Sequence, residues 1–505
     1  MLIPQPVSYA PAEGRLTLTP QTAVSAPAEI AALLRELLGP ATGLPLADGG
    51  EDAELAFALD DTTGLGEEGY RLTVDGTGAR AVAGTLTGLR WAVQALRQLL
   101  PPQAYAATPV TGIDWTLPYI EIEDRPRYPW RGIMIDVGRW YQPVSWLRTV
   151  VDLLALHRMN TLHLHLTEDQ GWRFEVRSHP RLTEVGAWRH ESPIGHENIK
   201  QADRTPHGGH YTQDELRELV AYAARRGVTI VPEIDLPGHT TAAIAAYPEL
   251  GNNPGTQLAT GTRWGIYDTV LNCDDATVRV MKDVLDELVD VFPSPLIHLG
   301  GDEVPPAEWS ANPGAQARMK ELGLTDPEDL LGWWISELSA HLREHGRRVV
   351  VWDELVGRGA PAEAVVMAWR HQDKVIEALR AGHDVVATPC EHVYLDYYES
   401  DAPGEPVSIG GLLPLEKVYA YQPEPGEPAG DNRVLGVQGN LWGEYLPTVG
   451  RAAYNLLPRL SAVAEAGWGT RTELGDFRQR LDVMLRRFDA LGVAYRRPEP
   501  YSAGE

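Results

Sequence analysis

From about residue 130 onward the chain alternates two hydrophobic rhythms. Short, nearly continuous apolar runs stand at 132–136, 161–166, 228–234, 296–299, 348–352, 365–369, 384–387 and 434–438. Between most of them lie longer stretches in which apolar residues recur every three to four positions: 146–157, 213–226, 277–291, 328–345 and 374–381. Unbroken apolar runs of this length read as strands buried on both faces, and the 3.6-residue spacing reads as amphipathic helix. Strands alternating with helices in this way predict a (β/α)8 TIM barrel with insertions. An open doubly wound sheet is the alternative, but no Gly-rich phosphate loop follows any of the strands. Two further helices, 454–466 and 472–491, are expected to close the chain.

The first 125 residues follow a different pattern. A hairpin is predicted from 70–74, an Asp75-Gly76 turn and 81–83, followed by a helix over 86–100 that stops at Pro101-Pro102. Another helix is expected near 30–38. These features predict a small non-catalytic α/β domain over 1–125. The proline-marked passage DRPRYP (124–129) then leads into the barrel domain with its C-terminal helices, 126–505.

Composition narrows the partners. With 44 Lys and Arg against 70 Asp and Glu, the net charge is −26. Such a surface repels nucleic acid and anionic membranes, so neither is expected as a partner. Cys273 and Cys390 are the only cysteines, so no disulfide framework is expected. The N-terminal stretch shows neither the basic flank nor the apolar run of a signal peptide, which gives a cytoplasmic expectation, with secretion as the alternative if an export signal has been removed. Fifteen Trp stand against five Phe, and indole faces suit the C–H faces of sugar rings as well as they suit cores.

Barrel enzymes carry their chemistry where strands end. The strand exits read Asp136; Glu168-Asp169-Gln170; Asp235 and His239; Asp302-Glu303; Trp352-Asp353-Glu354; Trp369-Arg370; Tyr394 and Asp396; Trp442 and Glu444. Carboxylates and aromatics dominate, which tips the tryptophan excess towards a sugar site. The segment LIHLGGDEV (296–304) is the most pointed of these. Two glycines let the backbone leave strand geometry, so that adjacent Asp302 and Glu303 can share one cleft. Paired carboxylates are the usual equipment for cutting a glycosidic bond. The dipeptide recurs at Asp214-Glu215 and Asp286-Glu287, in helical stretches that read as solvated faces, and at Asp353-Glu354, the one serious rival pair.

The segments PWRGIMIDVGRW (129–140), NTLHLHLTEDQGWR (160–173), VPEIDLPGH (231–239), HLGGDEV (298–304), VWDE (351–354), HVYLDYY (392–398) and GNLWGEY (439–445) together resemble the family 20 glycoside hydrolases, the β-N-acetylhexosaminidases. The stretch GTLTGLRWAVQALRQLL (84–100) is similar to part of the small domain that precedes the barrel in that family. The resemblance implies a substrate-assisted retaining hydrolase acting on terminal β-linked GlcNAc or GalNAc of oligosaccharides, with neither a metal nor an organic cofactor. It implies Glu303 as general acid, its proton affinity raised by the adjacent carboxylate. Asp302 would hold the acetamido N–H and Tyr394 the acetamido oxygen. Trp333, Trp352 and Trp442 would wall the pocket, with Trp369 added by its place at a strand end. Arg131 and Glu444 would hold the outer ring hydroxyls, Asp396 would be a further polar contact, and Asp169 with His239 would support the acid.

Two departures and two rivals accompany this resemblance. Trp140 stands where the family often has His, and 408–422 (SIGGLLPLEKVYAYQ) lacks a Trp for the aglycone side, leaving Tyr419 or Tyr421 as substitutes. His163-x-His165 resembles the metal-binding pair of amidohydrolase barrels, although later strand exits offer acids and aromatics instead of further His and Lys ligands. A non-catalytic sugar-binding barrel would keep the aromatic walls but lose the acid, and both Asp302 and Glu303 are present.

Overall fold

The computed structural model describes residues 2–50, 52–424, 433–470 and 472–498. Met1 and 499–505, the outer ends of the two expected segments, lie outside the described residues. Eight parallel strands close into a barrel in chain order: β1 (Trp130–Asp136), β2 (Thr161–His165), β3 (Thr229–Glu233), β4 (Leu296–His298), β5 (Arg348–Trp352), β6 (Val365–Ala368), β7 (Asp384–Ala387) and β8 (Val434–Leu441). Closure comes from β8 pairing with β1, from Gly436 opposite Trp130 to Leu441 opposite Ile135. Every residue of β1 and β8 is buried, which is why these strands read as unbroken apolar runs. Alternate residues point inward, so Val350 and Trp352, and Val365 and Met367, fill the interior together with Trp130 and Val231.

The principal helices form the outer layer: α1 (Val144–Leu156), α2 (Gln213–Arg225), α3 (Asp275–Val291), α4 (Leu330–Glu344) and α5 (Gln372–Arg380). Helix α2 begins at a Thr212/Glu215 capping box that satisfies two otherwise unpaired N–H groups. The expected helix over 454–466 is two helices, α6 (Val449–Leu456) and α7 (Arg459–Trp468). Pro458 divides them, because proline has no N–H to donate and cannot continue the α6 ladder. Helix α8 (Leu474–Leu491) follows. Among the described residues no helix is long and apolar enough to cross a membrane.

Ahead of the barrel, a seven-stranded mixed sheet contains the Tyr70–Asp75/Gly78–Ala83 hairpin, with helices Ala28–Thr42 and Leu86–Leu99. Its strand Thr116–Asp124 ends six residues before β1 begins at Trp130. Polar groups tie the two units together. Glu68 accepts from Trp91 Nε1 at 2.9 Å and pairs with Arg131, while Asp124 accepts from Trp468 Nε1 at 2.8 Å.

Candidate active site

The chain leaves β4 through Leu299, Gly300 and Gly301, and the two glycines take φ of +68° and +94°. A Cβ on Gly300 would stand 1.7 Å from Asp235 Oδ1, and one on Gly301 would stand 2.6 Å from Leu355 Cδ1. Only glycine satisfies both the dihedral and the space. Glu303 itself takes φ +50° and His239, which faces it, takes φ +52°. Left-handed non-glycine residues cost on the order of 1–3 kcal/mol each and persist where the surroundings force them. This backbone turn brings both carboxylates to the rim of one cleft of about 550 Å³ at the C-terminal ends of the strands.

The two acids meet different surroundings. The Asp302 side chain is 10% exposed and that of Glu303 is 34% exposed. Adjacency in sequence does not reveal this asymmetry. Burial, with Glu303 beside it, pushes the Asp302 carboxyl up to about 6, against the pull of His239 and a hydrogen bond from Asp235. Asp235 is held well above the usual carboxylate range, by burial first and then by Asp302. Of the two, Asp235 is the carboxyl suited to hold the proton, and its contact favours the ionised form of Asp302.

Behind Glu303 stands His239, with Nε2 3.5 Å from Glu303 Oε2 and 3.8 Å from Asp302 Oδ2. Its Nδ1 faces Glu168 Oε2 at 3.1 Å and Asp169 Oδ2 at 3.3 Å. Burial alone would discharge this imidazole, but Glu168, Asp169 and Glu303 together raise it well above its ordinary value. Asp169 thus lies beside His239, as expected, and Asp169 Oδ1 also accepts from Thr241 N at 2.9 Å. Glu168 is the stronger partner and was given no role from sequence.

Aromatic rings wall the cleft. Trp352 is fully buried and donates from Nε1 to Glu233 Oε1 at 3.0 Å. Trp442 lies 5.9 Å from it, and Tyr394 lies 6.4 Å from Trp442 and stacks on Trp369 at 6.0 Å. Glu354 accepts from Trp369 Nε1 at 3.1 Å, while Asp353 takes Arg370 Nε at 2.5 Å and the amides of Trp369 and Arg370 at 3.0 and 3.3 Å. The rival acid pair therefore positions the β6 exit. Glu354 is held well above the ordinary carboxylate range, by burial first and then by Asp302.

Arg139, whose guanidinium lies over the Trp442 ring at 5.1 Å, reaches three carboxylates: Asp136 at 2.9 Å, Glu168 at 2.8 Å and Glu444 at 3.5 Å. Asp396 and Glu444 complete this polar wall. Both carboxylate oxygens of Asp396 are buried without a hydrogen-bond partner among the described residues. Burial first, then Glu444, raises Asp396 well above its usual range. Paired acceptors beside a guanidinium form a ready seat for vicinal hydroxyls. Trp140 buttresses this wall from outside, donating from Nε1 to Glu444 O at 3.0 Å.

Two expected site residues lie elsewhere. Arg131 is the second residue of β1, at the end of the barrel remote from the cleft, fully buried, with Nη1 3.1 Å from Glu68 Oε1 and 2.8 Å from Tyr128 O. The guanidinium in the cleft is Arg139, three residues past the end of β1, where the strand-exit rule places it. Trp333 is on α4, outside the barrel, in edge contact with Trp334 and beneath Arg318, and is not among the residues lining the cleft. The aglycone candidates are also engaged elsewhere. Tyr419 stacks on Phe477 at 4.1 Å, and Tyr421 stacks on His392 at 4.7 Å. Ile409, 42% exposed, and Tyr397 stand at the rim instead. His163 and His165 face the barrel interior, where each contacts Glu233, and Gln438 lies 3.0 Å from His163 Nδ1.

A family model described as the glycosyl hydrolase family 20 catalytic domain matches residues 128–471, and one for domain 2 of that family matches residues 1–125. A β-hexosaminidase of Porphyromonas gingivalis is 38% identical, covering 100% of this chain and 65% of its own length. One from Vibrio furnissii is 37% identical over 81% of this chain and 66% of its own length, so the chain spans about two thirds of these relatives. A β-N-acetylhexosaminidase of Cellulomonas fimi is 32% identical over 92% of this chain and 89% of its own length. Among solved structures, an exo-β-N-acetylglucosaminidase of Vibrio harveyi in complex with N-acetylglucosamine superposes with a TM-score of 0.88 at 32% identity, covering 99% of this chain and 78% of that one. A β-N-acetylhexosaminidase of Streptomyces coelicolor A3(2) gives a TM-score of 0.85 at 30% identity, covering 98% and 97%.

Proposed function

The chain belongs to glycosyl hydrolase family 20, and from that premise we propose that it is an exo-acting β-N-acetylhexosaminidase, releasing terminal β-linked GlcNAc or GalNAc from oligosaccharides with retention of configuration. The observation that carries this reading is the asymmetric acid pair. Asp302 is buried against the aromatic wall, while Glu303 opens to the cleft with His239 behind it.

A sugar ring seated with its hydroxyls on Arg139, Asp396 and Glu444 would direct its 2-acetamido group towards Trp352, Trp369 and Trp442. Tyr394 donates to the acetamido oxygen and Asp302 accepts from its N–H. That oxygen attacks the anomeric carbon as the glycosidic bond breaks. Glu303 gives its proton to the departing oxygen, and the electron pair of the broken bond leaves with it. A cyclic oxazolinium ion forms, its positive charge facing ionised Asp302. Water then adds to the anomeric carbon from the vacated side, giving its proton to Glu303 and restoring the acetamido group. Holding the nucleophile within the substrate removes an entropic barrier on the order of 7–11 kcal/mol in well-oriented cases.

The test compares chromogenic β-GlcNAc and β-glucoside substrates with wild type and Glu303→Gln. Hydrolysis of the acetamido sugar alone, lost in the variant except with a good leaving group, is the expected result. Equal turnover of the glucoside would remove the acetamido group from the mechanism. An unimpaired variant would transfer the acid's role to Glu354.

A further inference from the structure

Helix α3 leads into β4, which carries the acid pair, and α4 leads into β5, which ends at Trp352. Asp286 lies on α3. His341 is in the last turn of α4, and His345 caps its C-terminus. The four-residue spacing puts both imidazoles on one face of the helix, the arrangement by which helices present paired histidines to a metal ion. Their rings are 5.0 Å apart. Both Nε2 atoms converge on the same oxygen, Asp286 Oδ1, at 2.7 and 3.0 Å. The side chains of Asp286 and His345 are 48% and 39% exposed, so an ion has a path to all three.

Two readings of this cluster differ in what it can accept. As a surface hydrogen-bond cluster, one carboxylate oxygen takes two N–H groups. As a ligand set, the same three atoms are nearly in place. An ion with tetrahedral bonds of about 2.0–2.1 Å separates its ligand atoms by roughly 3.3 Å, so the two Asp286 contacts open by about 0.3–0.6 Å, and all three ligand atoms already lie within 4.8 Å of one another. Loading requires each imidazole to carry its proton on Nδ1, leaving the Nε2 lone pair for the ion. Two imidazoles and one carboxylate suit zinc, nickel or copper, whereas magnesium and calcium favour all-oxygen shells.

We propose that Asp286, His341 and His345 bind a divalent transition-metal ion of the zinc class, with water as the fourth ligand, and that the ion staples α3 to α4. The chain's net charge of −26 favours cation accumulation at the site. Arg348 begins β5 three residues after His345, which sets the staple at the N-terminal face of the barrel, where side chains serve stability rather than chemistry. The ion is therefore expected to raise stability and leave catalysis unchanged.

The experiment uses the full chain, untagged and stripped with chelator, titrated with Zn2+ while its melting temperature is followed, and with Co2+ while its visible spectrum is recorded. The expected result is a saturable rise in melting temperature and the intense absorption of four-coordinate Co2+. Both are lost in His345→Gln and in Asp286→Asn, while the metal-free melting temperature and the turnover of the β-GlcNAc glycoside hold. A thermal shift of equal size in the two variants would assign the ion to other histidines and overturn the proposal. So would the absence of both saturation and the Co2+ spectrum in wild type.

Discussion

Asp302 and Glu303 are neighbours in sequence, yet the mechanism gives them different tasks, and burial separates them: the Asp302 side chain is 10% exposed and that of Glu303 34%. Asp302 must be ionised to stabilise the forming ring, and burial sets its carboxyl at about 6. It loses its charge as pH falls through that value, so kcat/KM is expected to fall on the acid side with a midpoint near 6. The hydrogen bond from Asp235 favours the charged form. Asp235→Ala removes that donor and should move the acid limb upward, whereas Asp235→Asn keeps a donor and should leave it near its wild-type place. A limb that ignores both variants would remove Asp302 from its control. Arg139 supplies a second residue-scale contrast. Losing a charged hydrogen bond costs about 1.5–3 kcal/mol, so Arg139→Gln should lower kcat/KM by roughly 100-fold, chiefly through KM. Arg131→Gln should leave KM unchanged. Steady-state kinetics on one substrate separates the two, and equal losses would contradict the placement of Arg131 away from the cleft. Arg139 was within reach of sequence reasoning: β1 runs from Trp130 to Asp136, so its second residue belongs to the opposite end from its exit.

At the scale of elements, the barrel was legible because a parallel strand buried on both faces writes itself as an unbroken apolar run. The helix ends fell within a few residues for the same reason in reverse: polar faces mark the outer layer. Periodicity misled at 454–466, where the apolar spacing continues through Pro458 and the backbone cannot. What sequence could not show is which exit residue buries itself. Asp302 and Glu303 read alike, but their side chains are 10% and 34% exposed, whereas Trp333 lay within the helix expected over 328–345 and its place outside the barrel was legible. The turn after β4 is where element geometry becomes chemistry. Gly300→Ala would press a methyl group against Asp235 Oδ1, at 1.7 Å without rearrangement. The exit must then shift, and a misplacement of about 1 Å costs on the order of 100-fold in rate. The expected outcome is a variant with near-native circular dichroism and kcat reduced to that degree. Retained kcat would mean that the acid pair tolerates movement of its strand exit.

For the whole molecule, the question is why a domain without catalytic groups accompanies the barrel. Part of the answer lies in Glu68, which sits between Trp91 Nε1 and Arg131 and reaches Asn160 at 3.4 Å. Arg131 is fully buried, and its charge faces Glu68 from the domain and the carbonyls of Tyr128 and Arg158 from the barrel. This ion pair is one of several between the two units, with Arg226–Glu36 and Arg158–Asp124, and it is the one through which β1 buries its second residue against its neighbour's carboxylate. Removing one partner of a buried pair strands the other and costs roughly 3 kcal/mol. Glu68→Ala should therefore lower the melting temperature clearly, while kcat/KM measured well below that temperature stays within about twofold of wild type. Glu68→Gln keeps an acceptor for Trp91 and Arg131 and should recover part of the loss. If Glu68→Ala melted as wild type does, the pair would be a surface contact in effect, and the domain's hold on the barrel would rest on the Asp124–Trp468 bond, the Arg226–Glu36 and Arg158–Asp124 pairs and apolar packing instead.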